Sequence, residues 1–277
     1  MTTQSTPLSK WQSAPFPSIA LNLAAKFWFA TVLVGQVIFS YYIVALYYTA
    51  TLSNDTARFN TVMPAGHIEG DYWGNIAVIG HVLLAAVITL GGLLQLLPVI
   101  RSKVPALHRW NGRLYVLTAV IMSLSGAFMI ITRHEKVVGD LVGHVTLMLN
   151  GAIILTCAAL AFRFARQRKF ANHRRWALRL FVAVSGVWFF RVGMMAWLSI
   201  HGKPVGFDPL SFSGPFLTVL YLTVYIMPIL FLECYFRAQT TGSAIQKLAT
   251  ATTIVMLCLI MMLGIFGATM GMWLPRI

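Results

Sequence analysis

Acidic side chains are nearly missing from this chain: 277 residues carry seven Asp and Glu, against 21 Lys and Arg. Charged residues of both signs reach only 10%, where soluble domains run at about 25%. That deficit excludes a water-soluble globular fold. Cysteine is scarce too. Cys157, Cys234 and Cys258 have the spacing of neither a zinc site nor a disulfide framework, and each falls in or at the end of an apolar stretch, where a thiol acts as small filler. The N-terminal stretch up to Ala25, rich in Ser, Thr and Pro, lacks the features of a signal peptide, because no small-residue cleavage site follows the first apolar run. A soluble face of interleaved basic and aromatic residues is also missing, so the net charge of +14 is no signature of nucleic-acid binding.

Long apolar runs are present instead. Apolar residues make up 58% of the chain, and seven stretches reach the length needed to span a bilayer: Phe27–Tyr48, Ile76–Val99, Leu114–Ile131, Val142–Ala161, Leu180–Leu198, Phe216–Leu232 and Leu248–Leu274. Their backbone groups have no water to bond, so these are helices, and their unbroken hydrophobicity argues against a β-barrel. The sequence therefore predicts an all-α membrane protein of seven transmembrane helices. Residues 1–26 form a cytoplasmic arm and 27–277 a single membrane domain. Fifteen of the 21 Lys and Arg fall in the arm and in the loops 100–113, 163–179 and 233–247, while Asp55, Glu69, Asp71, Glu135, Asp140 and Asp208 lie in the other loops. By the positive-inside rule the N-terminus is cytoplasmic and the C-terminus outside. The basic loops attract anionic lipid headgroups.

A short pattern occurs twice. Gly80-His81-Val82-Leu83-Leu84 returns as Gly143-His144-Val145-Thr146-Leu147, with the histidines 63 apart. His108-Arg109-Trp110-Asn111-Gly112-Arg113-Leu114-Tyr115-Val116 returns as His173-Arg174-Arg175-Trp176-Ala177-Leu178-Arg179-Leu180-Phe181-Val182, with the histidines 65 apart and the tryptophans 66 apart. A period of this size is a duplicated supersecondary unit, here about 76–132 and 141–199. Two helices per unit make the copies parallel repeats related by a pseudo-two-fold axis along the membrane normal. They predict a four-helix core of spans two to five, with spans one, six and seven around it.

Under that axis His81 and His144 form an outer pair at matched depth, and His108 and His173 an inner pair. Two facing imidazoles suit the axial ligation of a haem b. Gly151, one heptad past His144, leaves room for a macrocycle, and Gly91-Gly92 does so less directly. Arg191, deep inside span five, needs an anionic partner; a haem propionate, a quinone or lipid headgroup, Glu69 or Asp71 are the candidates. The plainer reading stands beside ligation: an interfacial His is an aromatic ring with a polar tip. It suits His108 and His173, flanked by the headgroup anchors Arg109, Arg174, Trp110 and Trp176, with Asn111-Gly112 as a helix break. His67, His134 and His201 fall in outer loops as solvated residues. Glu233 has Arg237 at i+4 as a surface partner, and Gln95 and Asn150 suit bonds between helices.

His81, Gly92-x-x-Gln95, Pro98, Arg101, the HRWNGRLY string at 108–115, the HRRWxxR string at 173–179 and Arg191 resemble a family of uncharacterised bacterial multi-pass membrane proteins, filed as a domain of unknown function. That resemblance covers spans two to five and implies no activity. A weaker, architectural one links the helix order and histidine pairing to the ascorbate-dependent di-haem transmembrane cytochromes b, from which the chain departs in its seventh span. The leading expectation is a membrane b-type cytochrome with haem between His81 and His144, carrying electrons to a quinone or a redox partner. In it Arg191 neutralises an outer propionate, and Arg109 joins His108 and His173 at the inner side. The alternative is a non-enzymatic lipid- or small-molecule-binding protein or transporter with an interfacial His/Arg/Trp anion site, although the spans show no broken helix beyond what Pro215 and Pro228 allow. A zinc-dependent intramembrane hydrolase on His81 and His144 ranks last, because no HExxH spacing exists.

Overall fold

The computed structural model describes residues 15–63, 65–133 and 139–277. Every regular element among them is helical. Helix α1 (Phe16–Ile43) continues through a π-helical turn (Val44–Tyr48) into the short α2 (Thr49–Leu52). A loop with one 3-10 turn (Thr56–Thr61) leads to α3 (Tyr72–Leu96), α4 (Pro98–Lys103), α5 (Pro105–Thr132) and α6 (Leu141–Arg166). Next come α7 (Phe170–Val184), α8 (Gly186–His201), α9 (Pro215–Thr240) and α10 (Ala244–Ala268), which ends in a second π turn, Thr269–Trp273. Six of these helices are long and apolar enough to cross a membrane, and α7 with α8 makes a seventh, bent span. The all-α multi-pass reading is the observed one.

The helices outrun the apolar runs at both ends, because hydropathy registers only the part that meets hydrocarbon. α1 begins at Phe16 with a proline in its first turn, where a missing N–H costs nothing. Residues 16–26 are therefore helix rather than an arm; residues 1–14 lie outside the described residues, as do His134 and Glu135. Pro98, Pro105 and Pro215 likewise open α4, α5 and α9. α5 runs without a break through Asn111-Gly112, against the expectation of a break there. Asn111 instead donates its Nδ2 to the Gly91 carbonyl (2.8 Å), and Gln95 Nε2 donates to the His108 carbonyl (2.9 Å). Gly91 and Gly92 do not face open space: Cβ atoms there would meet Asn111, and Tyr115 with Phe181. The glycines bring α3 close to α5 and α7.

The two copies of the repeat are the hairpins α3/α5 and α6/α7, joined where α5 packs on α6. α1 lies along α10 and against α3, and α10 along α8. The largest buried cluster joins α1, α3, α7, α8 and α10 through residues such as Ile43, Leu46, Phe181, Trp188 and Val192.

The fifth span is broken, which the sequence did not announce. α7 and α8 meet at 49°. The Ser185 hydroxyl donates to the Phe181 carbonyl (2.8 Å) and accepts from Gln36 Nε2 (3.0 Å). Back-bonding of this kind bends helices. Gly186 follows, and a Cβ there would strike the Tyr225 ring of α9. By contrast α9 continues through Pro228.

Candidate functional site

A cavity of about 570 Å³ opens between α1, α3, α5, α6 and α8. Its size is that of a small-molecule site. The lining is mostly apolar; His81 and Arg191 stand on it, with Arg133 at one end and the tyrosines Tyr42, Tyr47 and Tyr115.

His81 is the tenth residue of α3 and turns toward α5. Its Nδ1 lies 2.9 Å from Ser125 Oγ. The Ser125 hydroxyl also lies 3.1 Å from the Met122 carbonyl; when it donates there, its oxygen accepts from His81 Nδ1–H. In that tautomer the neutral ring carries its lone pair on Nε2, which makes no hydrogen bond among the described residues. Ser125 was not foreseen; a hydroxyl inside an apolar span was its signal in the sequence.

Arg191 is the sixth residue of α8. It has no carboxylate within ion-pair distance among the described residues. Its guanidinium sits 5.7 Å over the Phe39 ring and 3.4 Å from the Val187 carbonyl of its own helix. The acids expected to pair it are elsewhere. Glu69 is exposed, and Asp71 binds Arg133 (Nε to Oδ2, 2.7 Å). Arg133 went unremarked in the sequence. It is buried, and it also donates to the Ala65 carbonyl (3.0 Å) and Asn75 Oδ1 (2.8 Å), which ties the 53–71 loop to the ends of α3 and α5.

The structure does not bring His81 and His144 together on this cavity. Both helices are capped by an aspartate, Asp71 accepting from Gly74 N (3.0 Å) and Asp140 from Gly143 N (2.8 Å). The two caps are 69 apart in the chain, whereas the two histidines are 63 apart. His144 is only the fourth residue of α6, six positions nearer its cap than His81. At 1.5 Å per residue that is about 9 Å of depth. His144 does not line the cavity; its ring lies beside Gly139, close to Tyr221 of α9, and its Nε2 is buried without a partner.

The inner pair keeps the register that the outer pair loses. His108 and His173 are each the fourth residue of their helices, α5 and α7, and they lie within electrostatic range of one another. His173 Nδ1 donates to the Ala161 carbonyl of α6 (2.9 Å), while His108 Nδ1 is buried and unpartnered. Arg109 is exposed and joins neither. Arg113 stacks on Trp110. Glu233 binds Arg179 rather than Arg237, which gives the HRRWxxR string a structural role. Of the loop histidines, His67 contacts Thr56 Oγ1 (3.0 Å) and His201 donates to the Trp197 carbonyl (3.0 Å). No three His, Cys, Asp or Glu converge on a metal position among the described residues.

Residues 78–210 match the model of a predicted membrane protein family, DUF2306. That fits the uncharacterised multi-pass family suggested by the two HR-W strings. The DUF2306 segment runs from inside α3 to the loop before α9. It contains His81, Ser125, His144 and Arg191, and it leaves out the wall of the cavity supplied by α1. No curated protein and no solved structure matches the chain significantly.

Proposed function

We propose that this protein binds a lipophilic small molecule with an acidic or carbonyl-bearing head inside the bilayer, in the cavity that carries His81 and Arg191. The observation behind this reading is Arg191: a guanidinium on an apolar wall, at membrane depth, with no carboxylate beside it. A charge so placed costs a few kcal/mol unless something neutralises it, and a ligand oxyanion or carbonyl does so. The broken α7/α8 span at the same cavity agrees, since discontinuous helices border many intramembrane sites. In the proposed orientation the basic loops face the cytoplasm, among anionic headgroups, across the bacterial inner membrane, and the site lies in the outer half. The test is to purify the protein in mild detergent and identify what it carries by native mass spectrometry. The wild type is expected to retain a lipophilic ligand that Arg191→Gln loses; a wild type that carries nothing, and an Arg191→Gln protein that melts at the same temperature, overturn the reading.

A second reading, haem b and electron carriage in the membrane, draws on His81. Its Nδ1–H is anchored on Ser125, so Nε2 presents a lone pair, the usual arrangement of an iron-ligating imidazole. Arg191 is then the partner of a propionate, and Gly151, beside which a Cβ would meet nothing, leaves room for the ring. His144 is too shallow on its helix to share that iron from this cavity, so His81 is the one axial ligand that the reading retains. Protein from haem-supplied cells is expected to show a Soret band that disappears in His81→Ala; its absence from the wild type removes the reading.

A further inference from the structure

One end of the cavity is walled by Met63, Ala65 and the buried Arg133, and its α5/α6 flank is partly open. Leu124 of α5 and Met148 of α6 both line it, yet they are 56% and 38% exposed. Leu124 stands eight residues before the end of α5 and Met148 seven after the start of α6. That places them about 12 and 10 Å below the helix ends, where the surroundings are hydrocarbon. A side chain that borders the cavity and is also exposed at this depth borders a lateral window between α5 and α6.

The wall on the α1 and α8 side is aromatic. The π turn after α1 sets the Tyr42 and Tyr47 rings edge to face at 5.9 Å. Both rings line the cavity with Phe39 and Trp188, and Arg191 lies over Phe39. Rings of this kind favour a flat π face over a flexible chain. Beside the Tyr42 and Tyr47 hydroxyls this wall carries the Arg191 guanidinium, and α3 adds the His81 imidazole to the same cavity.

We infer that the ligand is a quinone-type lipid held in its hydroquinone form, its flat head against the aromatic wall and its apolar chain leaving through the α5/α6 window. One head oxygen accepts from Arg191, and a hydroxyl donates to His81 Nε2. A fully oxidised quinone offers His81 no donor, and a fatty acid offers the rings no flat face. This inference rests on the binding role proposed above.

Gly151 makes it testable. It lines the cavity, and a Cβ on it would have open space, so a large side chain can start from there and fill part of the cavity. Gly80 is equally open but is not part of the lining. Purified protein would be titrated with decyl-benzoquinol, decyl-benzoquinone and decanoic acid, with bound mass and thermal shift as readouts. The expected order is quinol over quinone over decanoic acid. Gly151→Phe abolishes quinol binding, Arg191→Gln weakens it at least tenfold, and Gly80→Phe leaves it intact. Unchanged quinol binding in Gly151→Phe overturns the inference. So does Arg191-dependent binding of decanoic acid without any of quinol, a result that leaves the broader binding role standing. If no probe binds and Arg191→Gln changes nothing, both readings fall.

Discussion

The Arg179 guanidinium grips the Glu233 carboxylate through two parallel hydrogen bonds, Nε to Oε1 at 2.6 Å and Nη2 to Oε2 at 3.0 Å. The pair joins α7 to α9, and the same guanidinium stacks on Trp176 at 4.4 Å. A fork of this kind uses the planar geometry of arginine as well as its charge. Arg179→Lys is therefore expected to lower the melting temperature almost as far as Arg179→Ala. A double-mutant cycle with Glu233→Gln should give a coupling of about 1 kcal/mol or more. Additive effects would show that the two side chains do not act as a pair.

Asp71 and Arg133 make the more costly pair to break. The Arg133 side chain is 3% exposed and anchors three groups of the 53–71 loop and α3. Arg133→Gln takes the guanidinium away from Asp71, whose side chain is 37% exposed, and breaks the buried bonds to Ala65 and Asn75, a loss of about 1–3 kcal/mol. Asp71→Asn also weakens the α3 cap. Limited proteolysis of the loop before α3 should accelerate in both variants, and more in Arg133→Gln. Equal cleavage in wild type and variants would mean that the loop is held by other contacts.

The spans were legible because hydrocarbon selects composition, and composition survives in the linear text. The HR-W strings were legible because they keep their place on the helix: His108 and His173 share a fourth position. The GHV strings misled, since matching letters say nothing of where a helix starts. Only the caps, Asp71 and Asp140, reveal the six-residue slip that puts His81 and His144 at different depths. Partners of polar groups were the least legible. Glu233 has Arg237 one turn away in sequence, yet helix rotation brings Arg179 to it. The break at Ser185 depends on a hydroxyl bonding back along its own helix and on Gln36 reaching it from α1, and neither contact leaves a pattern in the sequence.

The glycine contact between α3 and its neighbours should be sensitive to bulk. A Cβ on Gly92 would lie 3.0 Å from both Phe181 and Tyr115, so Gly92→Leu forces α3 away from two helices at once. Overpacking of this kind costs about 1–3 kcal/mol. Asn111→Ala removes one side-chain bond to the Gly91 carbonyl, and interhelical bonds in membranes average only about 0.6 kcal/mol. Thermal melting in detergent should rank Gly92→Leu well below Asn111→Ala. The reverse order would show that the polar bond, and not the close approach, holds the hairpin.

Ser125 separates a histidine that is merely buried from one that is aimed. In Ser125→Ala the Met122 carbonyl becomes the acceptor left for Nδ1–H, and the His81 ring loses the hydroxyl that fixes its plane. The change removes one oxygen from the α3/α5 interface, so stability should move by no more than about 1 kcal/mol. A ligand held on Nε2 is affected more strongly, because its bond depends on ring orientation; for an iron on this imidazole, loss of such support weakens binding by about 10- to 100-fold. The expected result is a melting temperature near that of the wild type, with ligand retention intermediate between wild type and His81→Ala. A ring that only fills space predicts the opposite: Ser125→Ala would then retain ligand as the wild type does, whatever happens to its stability.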